Sequence, residues 1–143
     1  NIVLINDAYN SSPESAEAAL RTLVLFAQER GGQSWAFLGK MHELGESSAD
    51  RHADIGTLAS ELGIDHLVCI GAPEYSANLA KSNAMAIHLC ANKEAALQLT
   101  QEMRAGDVVL AKASRAEKFE EIAQGIQSQI ALLIAENKEE GER

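Results

Sequence analysis

Short apolar runs alternate with longer amphipathic stretches along the whole chain. Residues 3–5, 35–38, 66–70, 84–89 and 108–111 are continuous, almost uncharged and short. Runs of this kind predict strands buried on both faces of a parallel sheet. The stretches between them have helical period. Ser12-Pro13-Glu14 supplies an N-cap, a first-turn proline and a first-turn acid. Ala16, Ala19, Leu20, Leu23 and Ala27 then recur on one face until Gly31-Gly32. Ile55, Leu58, Ala59 and Leu62 form a second stripe, stopped by Gly63. A third, shorter helix is predicted over residues 73–80. A fourth carries Ala96, Leu99 and Met103 and closes at Gly106; a fifth carries Phe119, Ile122, Ile126, Ile130 and Leu133. Residues 137–143 are polar and predict a frayed tail.

Five strand–helix repeats predict an α/β fold: an open, mostly parallel, Rossmann-like sheet of five or six strands with helices on both faces. Residues 1–136 form one domain in this reading. Ligands in such sheets bind beyond the carboxyl ends of the strands. The segments with a claim on chemistry are therefore 6–13, 39–48, 71–74, 90–93 and 112–118.

Composition narrows the function classes. The 143 residues carry 12 Lys and Arg against 21 Asp and Glu, a net charge of −9, which argues against nucleic acid as a partner. The longest strictly apolar run, residues 130–135, is far short of the ~20 residues that cross a bilayer, so no membrane insertion is expected. The start lacks a secretory signal and an initiator Met and opens directly into an apolar run. It reads as a piece of a longer, cytoplasmic protein. Cys69 and Cys90 lie in apolar segments without scaffold-like spacing and read as buried free thiols.

The first loop, Asn6-Asp7-Ala8-Tyr9-Asn10-Ser11-Ser12-Pro13, places an acid, a phenol and an amide before a helix N-terminus, where backbone amides favour polar ligands. An Asp there suits vicinal hydroxyls such as a ribose. Asp7, Asn10 and Ser12 also suit turn and cap roles. The second, Gly39-Lys40-Met41-His42-Glu43-Leu44-Gly45, is flanked by glycines and followed by Arg51 and His52. The fifth strand ends in Lys112-Ala113-Ser114-Arg115, two cations and a hydroxyl suited to a carboxylate or phosphate. Neither nucleotide-phosphate cradle, Gly-x-x-x-x-Gly-Lys-Ser/Thr or Gly-x-Gly-x-x-Gly, occurs. No metal site is expected: His66 and Cys69, three apart on a strand, point to opposite faces.

Taken together, three segments resemble the C-terminal domain of the Mur ligases, ATP-dependent enzymes that build the peptidoglycan stem peptide. They are residues 6–15, like Asp-x-Tyr-Asn-Ala-Asn-Pro-x-Ser; Gly39-x-Met41-x-Glu43-Leu44-Gly45 with His52 and Gly56 following; and Lys112-Ala113-Ser114-Arg115 with Glu120, like Lys-Gly-Ser-Arg with a later Glu. Ser11, Ser12, Lys40 and Ala113 depart from that pattern. The likeness is greatest to members that add D-alanyl-D-alanine to a UDP-N-acetylmuramoyl-tripeptide through an acyl phosphate.

The resemblance implies that an N-terminal and a central domain precede this one, the central domain carrying the phosphate-binding loop and Mg2+ ligands. It implies that Asp7, Tyr9 and Asn10 face ATP, with Asp7 on the ribose. Glu43, Leu44, Gly45, His52, Lys112, Ser114 and Arg115 would hold D-alanyl-D-alanine. No residue of this chain would be catalytic, and alone it would be inactive. The rival class is a non-catalytic binding module, such as a phospho-receiver domain. Asp7 and Lys112 fit that pattern, but Gly71-Ala72-Pro73 stands where the phosphoacceptor Asp would be.

Overall fold

The computed structural model describes residues 1–80 and 84–141. Its elements, in chain order, are β1 (Val3–Asp7), α1 (Pro13–Arg30), β2 (Ser34–Leu38), α2 (Ser48–Leu62), β3 (His66–Ile70), β4 (Ala86–Cys90), α3 (Lys93–Gln98), β5 (Val108–Lys112) and α4 (Glu120–Gly141). Single 3-10 turns lie at Gly45–Ser47, Pro73–Ser76, Leu99–Glu102 and Arg115–Glu117.

Helix boundaries follow local chemistry. Ser12 and Ser15 form a reciprocal capping box: the Ser15 N–H donates to Ser12 Oγ at 3.2 Å and the Ser12 N–H to Ser15 Oγ at 2.9 Å. At the other end Gly31 turns left-handed and its N–H returns to the carbonyls of Ala27 and Gln28. Gly63 ends α2 in the same way.

Five strands form one sheet in the order β1-β5-β2-β3-β4, every pairing parallel. The last strand of the chain thus lies between the first two. A receiver-type sheet runs 2-1-3-4-5 and leaves its fifth strand at the edge, so this topology is a different one. The central strands β2 and β5 are buried at every position, whereas the edge strands β1 and β4 are partly exposed. Alternation along each strand builds two cores. Ala36, Leu38, Leu67 and Leu110 face Leu20 and Leu23 of α1 and Ile55 and Ala59 of α2. Trp35, Phe37, Val109 and Ala111 face Phe119, Ile122 and Ile126 around α4.

Three expectations change. The third helix, predicted over residues 73–80, is only the turn Pro73–Ser76. It is held against α2 at Gly56, where an added Cβ would lie 1.7 Å from the Tyr75 carbonyl oxygen. The fourth helix is one and a half turns of α3 completed by a 3-10 turn. Finally, α4 runs through 137–141, where a frayed tail is expected; without Pro and with Gly only at the end, the backbone ladder continues. Residues 142–143 lie outside the described residues.

Candidate functional site

Because β5 lies between β1 and β2, the loops leaving the carboxyl ends of these three strands meet. Asp7 and Lys112 are register partners on β1 and β5, and Lys112 is the partner of Leu38 on β2. Beyond the strands the backbones stay joined: the Gly39 N–H donates to the Lys112 carbonyl at 3.0 Å, and the Ser114 N–H to the Lys40 carbonyl at 3.3 Å.

A cleft of about 240 Å³ opens between these loops, lined by Tyr9, Asn10, Ser11, His42, Glu43, Ser114, Arg115 and Ala116. Tyr9 is exposed, with 64% of its surface accessible, and offers an aromatic face with little to desolvate. Arg115 is exposed and has no ion pair among the described residues. It presents a free guanidinium fork. Ser114 is committed in part: its Oγ accepts the His42 N–H at 3.0 Å and lies 3.5 Å from the Ser11 carbonyl.

Five of the ten residues assigned from sequence therefore line one cleft: Tyr9, Asn10, Glu43, Ser114 and Arg115. Asp7 lies beside it, its side chain 42% accessible and one oxygen engaged by Lys112.

Lys112 itself is a correction. Its side chain is 1% accessible, and Nζ donates to the Asp7 carboxylate and, at 2.7 Å, to the Asn10 carbonyl. The ammonium thus pins the first loop to β5 and is not presented to a ligand.

His52 is a second correction. It is 1% accessible, and its Nε2 accepts the Met41 N–H at 2.9 Å. The ring must then donate from Nδ1, which faces the Ser48 carbonyl at 2.6 Å. Both nitrogens are used in anchoring the Gly39–Gly45 segment. Leu44 does not line the cleft either; half-buried, it packs against the α1/α2 core. Gly45 starts the 3-10 turn, outside the lining residues.

Sequence reasoning missed three participants. Tyr75, buried, donates its hydroxyl to the Gly39 carbonyl at 2.7 Å and packs edge-on against His52. Burial pushes its phenol far above the usual range, followed by repulsion from Cys69, so it stays a donor. His42 and Glu117 pair across the mouth of the cleft, Nε2 to Oε1 at 2.7 Å. They stand 75 residues apart, so no local pattern could join them.

Both cysteines are free. Burial, then Cys90, pushes the Cys69 thiol up to about 12, and burial raises Cys90 too, so neither is an activated nucleophile. Among the described residues no three His, Cys, Asp or Glu side chains gather as a metal site, and no helix is long and apolar enough to cross a membrane.

Comparison with known proteins adds a family. The model described as "Mur ligase, glutamate ligase domain" matches residues 1–115. Similar curated proteins include the UDP-N-acetylmuramoyl-tripeptide–D-alanyl-D-alanine ligases of Mycobacterium tuberculosis and Bacillus subtilis. The first is 37% identical over 87% of this chain and 28% of that protein; the second is 31% identical over 86% and 27%. Among solved structures, the MurF ligase of Thermotoga maritima in complex with ADP superposes with a TM-score of 0.73 at 27% identity, covering 91% of this chain and 29% of that one. A domain from Haemophilus ducreyi, 14% identical, shares the fold over 90% of each chain with a TM-score of 0.57. The chain thus spans less than a third of the length of the curated relatives it matches.

Proposed function

Since the chain belongs to the Mur ligase family, through its glutamate ligase domain, we propose that it is the acceptor-binding, ATP-closing domain of a cytoplasmic ligase that adds D-alanyl-D-alanine to a UDP-N-acetylmuramoyl-tripeptide. The observation that carries this reading is the cleft itself. It gathers Tyr9, Asn10, Glu43, Ser114 and Arg115 on one lining, from loops that leave three adjacent strands.

Asp7, with one carboxylate oxygen fixed by Lys112, keeps acceptor capacity for a ribose hydroxyl, and Tyr9 and Asn10 flank the nucleotide. Arg115 provides the charge-assisted, forked contact that a carboxylate requires. Ser114 keeps a hydroxyl beside it, and the Glu43 carboxylate can receive the acceptor's ammonium group. Lys112 and His52, which our reading removes from direct contact, hold the loops that carry these groups.

In the reaction we assign, an oxygen of the tripeptide's terminal carboxylate attacks the γ-phosphorus of ATP and ADP leaves. The dipeptide amine, once deprotonated, then attacks the acyl carbon, and phosphate leaves the tetrahedral intermediate. The phosphate cradle and Mg2+ belong in this reading to a preceding central domain, and the UDP-sugar to one before it. What this domain contributes is position. Holding an amine against an acyl phosphate replaces a bimolecular encounter, a contribution of several kcal/mol.

The test is an assay of the full-length protein with ATP, Mg2+, UDP-N-acetylmuramoyl-tripeptide and D-alanyl-D-alanine. Phosphate release requiring both peptide substrates, with a product heavier by one dipeptide less water, is the expected result. Release that ignores the dipeptide would overturn the assignment.

A further inference from the structure

We propose that His42 and Glu117 form a clasp that positions the loops on either side of the cleft, and with them Arg115, for the acceptor's carboxylate. This rests on the reading of the cleft given above.

The two loops carry the only non-glycine residues with positive φ among those described, Glu43 at 63° and Lys118 at 53°. Left-handed backbone at such residues is unfavourable and persists only where surrounding contacts fix it. Each strained residue is adjacent in sequence to one member of the pair. The backbone bonds that join the loops, at Gly39 and Ser114, lie deeper, next to the strand ends. Further out, the His42 N–H donates to Ser114 Oγ, and beyond it the imidazole meets the Glu117 carboxylate at 2.7 Å. Among the described residues this is the one side-chain pair that joins the two loops.

The pair also governs where the nearest acid goes. Glu117 stands two residues after Arg115 on the same 3-10 turn. Held by His42, its carboxylate is engaged across the cleft mouth, and the Arg115 guanidinium stays without an ion pair. Nε2 can donate to that carboxylate from the neutral ring as well as from the cation, so the clasp needs no particular charge on His42. Both side chains are partly exposed, 39% and 33%, which limits the strength of the contact and makes it a positioning device whose loss the domain survives.

Two measurements on the full-length protein test the clasp. In hydrogen–deuterium exchange, Glu117→Ala should speed exchange of the His42 amide and its neighbours in 41–45, whereas Glu117→Gln, which keeps an acceptor oxygen at the same reach, should largely preserve their protection. In steady-state kinetics, His42→Ala and Glu117→Ala should each raise the KM for D-alanyl-D-alanine about two- to fivefold while leaving the KM for ATP in place. The double variant should be no worse than the poorer single one. Unchanged exchange across the cleft in Glu117→Ala, or effects that multiply in the double variant, would overturn the clasp. If the wild type turns over without the dipeptide, the cleft reading fails and takes the positioning role with it. If the wild type depends on the dipeptide and the variants keep its KM, only the clasp fails.

Discussion

Lys112 is more deeply buried than the acid it serves. Its ammonium lies inside the sheet's carboxyl end, while the paired Asp7 side chain remains 42% accessible. The pair is therefore unequal when broken. Removing Asp7 leaves a buried cation with only the Asn10 carbonyl; removing Lys112 leaves an acid that water can reach.

Asp7→Ala should accordingly lower stability by about 1–3 kcal/mol, whereas Lys112→Met, which keeps the apolar stem, should stay within about 1 kcal/mol of wild type. Urea midpoints of the two variants check the order. Equal losses would mean that the ammonium does not depend on Asp7. In the full-length protein Asp7→Ala should also raise the KM for ATP, because in the proposed function the same carboxylate takes the ribose.

Arg115 can be tested against the carboxylate proposed for it. Arg115→Ala should cost a charge-assisted hydrogen bond, ~1.5–3 kcal/mol, or about ten- to a hundredfold in the KM for D-alanyl-D-alanine with little change for ATP. Converting the dipeptide carboxylate to an amide should cost wild type a similar factor and the variant little more. Losses that simply add would place Arg115 away from that carboxylate.

Gly56 is the close-approach point between α2 and the turn that carries Tyr75. Alanine would favour the helix by up to ~1 kcal/mol, but its Cβ would meet the Tyr75 carbonyl oxygen at 1.7 Å. Gly56→Ala should therefore destabilise by about 1–3 kcal/mol. Because Tyr75 holds the Gly39 carbonyl, it should also weaken acceptor binding in the full-length enzyme. A rise in melting temperature would show that the turn yields freely.

At the opposite end of the sheet His66 stacks on Trp35, with ring centroids 3.6 Å apart, and shares a hydrogen bond with His88 at 3.2 Å. Burial first, then His88, holds its pKa below the usual 6.5, against the opposing pull of Asp65, Glu102 and Asp107. The unfolded chain then takes up a proton more readily than the folded one. Stability is penalised as pH falls below about 6.5, and the penalty levels off below the folded value. The fall in melting temperature between pH 7.5 and 5.5 should be smaller in His66→Gln. An identical fall in both would assign the acid sensitivity to other groups.

What the sequence disclosed depended on how local its signal was. The cap at Ser12, the stop at Gly31 and the bounds of β3 were legible because each follows from neighbouring residues. His52 could have been placed correctly: with Ile55, Gly56 and Ala59 it falls on the buried stripe of α2, at offsets of three, four and seven. Lys112 could not. Its role follows from β5 pairing with β1, a relation between residues 105 positions apart. The shortened turn at Pro73 likewise depends on a contact with another helix. The cleft was legible in its members and not in its internal bonds.

The strand order also fixes when the site can exist during synthesis. β1 and β2 are not neighbours; β5 joins both. A nascent chain that has emerged only as far as Gly106 holds four strands, with an unfilled lane between β1 and β2, and none of the Lys112–Arg115 segment. Closure of that lane brings together residues 105 positions apart, an expensive loop to close but a decisive one. Assembly of the ligand-facing end and completion of the sheet are thus the same event, and a domain translated only to Gly106 has no half-built pocket to offer.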